Sequence, residues 1–210
     1  MKHLFSIFLV ALGFNNLPAQ EIFFNVGRNF TNYDYTNSQS ESNPNIESSS
    51  GSSYELGYNF ISALGNKFDI GLSCTLDQFN ATGGNLVNDY SWNTNYFGLQ
   101  GTIKYDLIEK LNKSKFNLNI NAGINLNHII SGQQKINGDT FNLSSHEEFN
   151  GLFIKPVVGM QLKFYLTDDV AIGISYNHSK NYGRIPARSG DENLNFNNNQ
   201  LQFGILMSTK

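Results

Sequence analysis

His178 and Ser179 stand side by side near the end of an alternating segment, and a histidine beside a serine suggests a lipid-modifying hydrolase. Such an enzyme needs its base within hydrogen-bond reach of the nucleophile and an acid to orient the base. Adjacent residues on an extended strand point to opposite faces, so these two cannot serve each other. A rim histidine is the better account. His146, Glu147 and Glu148 offer one imidazole and two carboxylates for a metal, but no second cluster accompanies them, and a solvated loop fits better. Arg184, Arg188, Asp191 and Glu192 read as a mixed-charge surface in a loop, where recognition commonly happens. The single cysteine, Cys74, excludes an intramolecular disulfide and a cysteine-pair zinc site. No catalytic, metal or cofactor-binding residue is assigned, no cofactor is implied, and no enzyme is expected.

Six other charges say more: Glu55, Asp69, Lys104, Asp106, Lys155 and Lys163. Their meaning depends on the segments that carry them. From Phe116 to Leu126 the even positions are Phe, Leu, Ile, Ala, Ile and Leu, while the odd ones are four Asn and a Gly. Side chains alternate with period two along a strand, so this segment has one apolar and one polar face. The pattern recurs at Tyr54–Phe60, Phe68–Leu76, Phe97–Leu107, Leu152–Leu166, Val170–Tyr176 and Leu201–Met207. The first strand, near Ile22–Tyr35, is untidy. If Asn25, Gly27 and Asn29 face inward, Arg28 faces outward, unless a bulge at Gly27 re-aims it.

Eight strands result, an even number. Short connections (Gly65–Lys67, Glu109–Lys115, Thr167–Asp169) alternate with long ones near Thr36–Gly51, Asn80–Asp89, Ser131–Asn150 and Lys180–Leu194. That alternation describes an up-and-down barrel with tight turns on one rim and loops on the other. Composition agrees: aromatics make up 13%, with 17 Phe and 10 Tyr, while only 15% of residues are charged.

The N-terminus reads as a secretory leader. Lys2 and His3 precede an apolar run from Leu4 to Phe14, and Leu17-Pro18-Ala19-Gln20 closes it. A signal peptide over residues 1–20 and a barrel domain over 21–210 are expected. Losing Lys2 with the leader moves the formal net charge from −3 to about −4, too little basic surface for a nucleic-acid partner. Mean hydropathy is −0.33, and no later segment approaches the roughly 18 consecutive apolar residues of a membrane helix.

The ending Ala19-Gln20, the opening Asn25-Val26-Gly27-Arg28-Asn29-Phe30, the segment Gly51-Ser52-Ser53-Tyr54-Glu55-Leu56-Gly57-Tyr58 and the eight amphipathic strands resemble small outer-membrane β-barrel proteins, the porin-like or OmpA-like barrels. The resemblance implies residence in the outer membrane and covers nearly the whole mature chain. It implies no catalytic residues, because that family includes adhesins, anchors and uncharacterised members. One departure is visible: such barrels usually end on an aromatic residue, whereas here the last ring is Phe203 and the chain ends Met207-Ser208-Thr209-Lys210.

A soluble lipocalin-like carrier, with its apolar face inward around a small ligand, shows the same alternation. Small and amide residues on the polar rows, low charge and aromatics near both strand ends favour the membrane. The loop-side aromatics are Tyr54, Phe79, Tyr90, Trp92 and Tyr96; those at the turn side are Phe68, Tyr105, Phe116, Phe164 and Tyr165. Eight strands leave an interior that side chains fill. Glu55 and Lys155 near the loop side, and Asp69, Lys104, Asp106 and Lys163 near the turn side, are therefore expected to pair inside and plug the barrel.

The expectation is an all-β protein: a single closed, up-and-down antiparallel transmembrane barrel of eight strands. It would be non-enzymatic and monomeric, in contact with outer-membrane lipid. Its loops would meet an extracellular or envelope protein or a glycan. An outer-membrane lipid-modifying enzyme and a soluble lipocalin-like carrier are the alternatives.

Overall fold

The structure, a computed structural model, describes residues 20–36, 46–64, 67–84, 89–108, 115–144, 149, 151–181, 184–185 and 193–209. The leader expected over 1–20 lies outside them except for Gln20, as do His146, Glu147, Glu148, Arg188, Asp191 and Glu192.

Eight long strands form the wall: β1 Gln20–Thr36, β2 Ile46–Phe60, β3 Phe68–Gly84, β4 Asp89–Ile108, β5 Phe116–Ile136, β7 Leu152–Tyr165, β8 Val170–Lys180 and β10 Asn193–Thr209. Each is antiparallel to its neighbours, β5 pairs with β7, and β1 pairs with β10, so the sheet closes on itself. The short strands β6 (Asp139–Asn142) and β9 (Arg184–Ile185) lie on β5 and β7. Closure leaves no long unpaired edge among the eight.

The apolar rows point outward. Phe24, Leu56, Leu72, Leu99, Ile124, Val158, Ile174 and Phe203 are all exposed, while Asn29, Asn59, Thr94, Asn119 and Gln202 are buried within. A water-soluble carrier needs the reverse. On the turn-side rim, outward rings pair across strands: Phe68 with Tyr105 and Phe116 with Phe164, each pair with centroids 5.0 Å apart.

Several expectations change, and β2 already begins at Ile46 and β3 runs on to Gly84, within stretches expected as loops. No bulge occurs at Gly27, because β1 keeps continuous register with β2 and β10, and Arg28 therefore stays outward. A Cβ at Gly27 would run into the backbone carbonyl of Leu201, so the glycine serves close approach of β1 to β10 instead. The loop expected from Ser131 is largely strand: β5 continues to Ile136, and Asn137-Gly138, at φ 51° and 97°, turns the chain into β6. Asn-Gly suits a two-residue hairpin because both positions need positive φ.

A further change concerns aromatics. Phe79, Tyr96 and Trp92 at the loop side, and Tyr165 at the turn side, do not join an outer girdle. Phe79 and Tyr96 are fully buried inside, Trp92 packs against the same cluster, and Tyr90 stacks on Trp92 at 6.1 Å. Phe79 shares the inward row of Asp77, and Tyr96 that of Gly98, so strand parity governs over nearness to a strand end.

Candidate functional site

The lumen is filled in layers. At the turn end Phe23, Ala171 and Leu206 form a small apolar floor, with Tyr165 against it. Beside it, at the same end of the lumen, lies a charged layer. Lys163 Nζ is 2.8 Å from Glu21 Oε1, and Asn59 Nδ2 donates to the same oxygen at 2.7 Å. Lys104 places its ammonium 4.7 Å from the Phe23 ring centroid, a cation–π contact within a low-dielectric interior.

Asp69 and Lys104 are Cα partners across β3 and β4, both buried and both inward. The direct ion pair between them does not form. Asp69 Oδ1 instead accepts the backbone N–H of Ser62 at 2.8 Å, in the turn before β3. Ser62 holds a positive φ of 56°, and the carboxylate fixes that turn. Asp106 lies two residues further along β4, half-buried, where the β4–β5 register shifts.

The next layer is built from amides. Glu55 accepts from Asn25 at 2.9 Å, Ser73 at 2.7 Å and Gln100 at 3.1 Å, so neutral donors rather than a lysine satisfy it. Asp77 accepts from Asn29 at 3.0 Å and Gln200 at 3.1 Å, with Lys155 Nζ 3.6 Å away. Lys155 also stands 4.6 Å from the Phe79 ring centroid. Buried carboxylates with several donors avoid much of the desolvation cost of a bare charge.

Phe79 belongs to the lid. Tyr33, Phe79, Tyr96, Phe153 and Phe196, one ring from each of five strands, converge at the loop end with Ile129, Leu143 and Phe149. The Tyr33 and Phe196 centroids are 4.8 Å apart, and Phe79 stacks on Phe196 at 5.6 Å. The Tyr33 hydroxyl hydrogen-bonds at 3.0 Å to the Phe79 carbonyl and at 2.9 Å to Thr94 Oγ1, satisfying its polar end. Of the lumen residues, sequence reasoning passed over Glu21, Asp77 and this lid. The signal was present: at the loop end of five inward rows, those of β1, β3, β4, β7 and β10, polar residues give way to rings.

His178 and Ser179 point to opposite faces. Ser179 is buried, whereas His178 faces outward and shares a 3.0 Å hydrogen bond with Asn199.

The family model for the outer membrane protein beta-barrel domain matches residues 6–206. Among solved structures, the outer membrane protein OprG from Pseudomonas aeruginosa aligns with a TM-score of 0.61 and 8% identity, over 91% of this chain and 95% of that one. Neisserial surface protein A aligns with a TM-score of 0.52 and 12% identity, over 90% and 98%. At such identities the likeness concerns the fold. No curated protein matches the chain.

Proposed function

The chain belongs to the outer membrane protein β-barrel domain family and resides in an outer membrane, and from that premise we propose a non-enzymatic, monomeric barrel with a plugged lumen that acts through its surface loops in a structural or recognition role. The observation that carries this reading is the filled lumen: a charged layer at Glu21–Lys163, an amide layer at Glu55 and Asp77, and an aromatic lid around Phe196. A solute path would have to break all three. With the interior occupied and the wall facing lipid, the loop end is the surface free to meet a partner, an extracellular or envelope protein or a glycan. An enzyme built on His178 and Ser179 gains no support from a pair on opposite faces. The six charges Glu55, Asp69, Lys104, Asp106, Lys155 and Lys163 are proposed as packing and orienting groups of the plug rather than as a catalytic set.

The test has two arms. Purified protein in planar bilayers is expected to give no stable conductance, and porin-sized currents would overturn the plugged reading. Wild type and a variant with residues 37–45 and 186–192 replaced by short Gly-Ser turns are then compared for binding to glycan arrays and envelope extracts. Loss of a saturable interaction in the shortened form supports loop recognition; binding that survives shortening overturns it.

A further inference from the structure

Arg28 is the exception in the outward apolar row of β1. It is exposed between Val26 and Phe30, both of which face lipid. It has no hydrogen bond or ion pair among the described residues. An arginine on the lipid face costs about 2–4 kcal/mol at mid-depth and roughly 0–1 kcal/mol near the interface, so its depth and its neighbours decide its meaning.

The register supplies both. Arg28 pairs with Leu201, Leu201 with Tyr176 and Tyr176 with Met160, and the row continues to Phe68, the first residue of β3 at the turn-side rim. The row descends as it leaves β1 through β10, because strands in a closed barrel are tilted. The residues level with Arg28 on the next two strands therefore lie further toward the loop end: Asn199 on β10 and His178 on β8. Both are outward and are Cα partners of each other.

These two are already organised. Asn199 Oδ1 accepts from the Tyr176 hydroxyl at 2.7 Å and from His178 Nδ1 at 3.0 Å. The Asn199 oxygen is thereby occupied, while its Nδ2 donor has no hydrogen bond among the described residues. Lys180, exposed, pairs with Asn197 one step closer to the loops and brings a second cation to the same face. The outward carboxylate of Asp34 stands beyond this group, further toward the loop end of β1. Directly beneath Arg28 the wall is apolar, with Val26, Leu201 and Phe203 exposed. The result is a group of cations and amide donors toward the loop end of the lipid-facing wall, with the Ser52 hydroxyl on β2 as the direct cross-strand neighbour of Arg28.

We infer that Arg28, Asn199 and Lys180 form a headgroup site for a phosphate-bearing lipid of the outer leaflet, whose acyl chains run down the Val26–Leu201–Phe203 surface. The guanidinium and the amide both carry N–H donors that phosphate oxygens accept. Lys180 adds charge from above, and the apolar strip fixes the source as lipid rather than free anion. Bound phosphate also gives Arg28 the anionic partner that it does not have among the described residues.

The experiment uses the full mature barrel in detergent, titrated with diphosphoryl lipid A, with the same glycolipid stripped of phosphate, and with inorganic phosphate. Saturable binding of the diphosphoryl form is expected. It should weaken roughly tenfold in Arg28→Gln and by a smaller factor in Lys180→Gln, and stay unchanged in Lys135→Gln, an exposed cation on β5. Inorganic phosphate should not compete at matched concentration. Heat-modifiable mobility on gels checks folding; removing a lipid-facing arginine should leave it intact, so a loss of binding cannot be a loss of fold. Equal affinity for the stripped glycolipid, unchanged affinity in both Arg28→Gln and Lys180→Gln, or displacement by inorganic phosphate would each overturn the assignment.

Discussion

Glu21 and Lys163 lie 142 positions apart in the chain and meet in the lumen, with Lys163 Nζ donating to Glu21 Oε1 at 2.8 Å. Both side chains are almost wholly shielded from solvent, and Asn59 shares the same carboxylate oxygen. Strand β1 is thereby tied to β7 across the barrel's interior, although the two are not neighbours in the wall.

Breaking that pair from one side strands a buried charge. Glu21→Gln or Lys163→Met should each lower stability by about 3–5 kcal/mol, and the double replacement should cost less than the two added together. Urea titration of the barrel in lipid vesicles, followed by tryptophan emission, gives the cycle. Simple additivity would mean that the two groups do not depend on each other.

The lid makes a second expectation. Phe79→Ala combined with Phe196→Ala removes two stacked rings from the loop end of the lumen. Each truncation should cost about 3–5 kcal/mol of stability if the void does not collapse. Small, flickering currents should appear in planar bilayers where wild type is silent. Silence in the double variant would place the barrier in the charged and amide layers below.

Gly27 supports close approach of β1 to β10 rather than a bulge. An added methyl meets the Leu201 carbonyl oxygen, which is backbone and cannot rotate away. Gly27→Ala is expected to destabilise the barrel by about 1–3 kcal/mol and to slow refolding into vesicles. Gly138→Ala, whose position is open but has φ 97°, should affect only the β5–β6 hairpin. Equal effects from the two would remove the steric account of Gly27.

Cys74 is exposed on the outward row, in register with Leu56 and Leu99. A small fluorophore attached there should be quenched by brominated lipid chains and hardly at all by aqueous iodide. The reverse result would turn the wall inside out.

The alternation in Phe116–Leu126 and its counterparts determined the strands, their faces and their number. A side-chain period of two is a local property of the chain, and a closed even-stranded sheet follows once short and long connections alternate. It also determined that Asp69 and Lys104 face one another, because hairpin neighbours share a register that can be counted from the ends. The local Asn137-Gly138 signal for a hairpin was equally legible, yet lay inside a stretch read as loop.

What most lumen charges touch was decided by strand assembly, the exception being Asp69, whose partner Ser62 lies seven residues away in the adjoining turn. Glu21 finds Lys163, Asp77 finds Lys155, Glu55 takes three neutral donors, and Asp69 takes the Ser62 amide instead of the lysine opposite it. The rings of Tyr33, Phe79, Tyr96, Phe153 and Phe196 come from five strands and become one lid only when the sheet curls. The placement of Arg28 level with Asn199 and His178 likewise depends on the stagger of the strands. Strand pleating is set by residues next to each other in sequence. Contacts across the lumen and around the wall depend on barrel tilt and shear, which no single segment encodes.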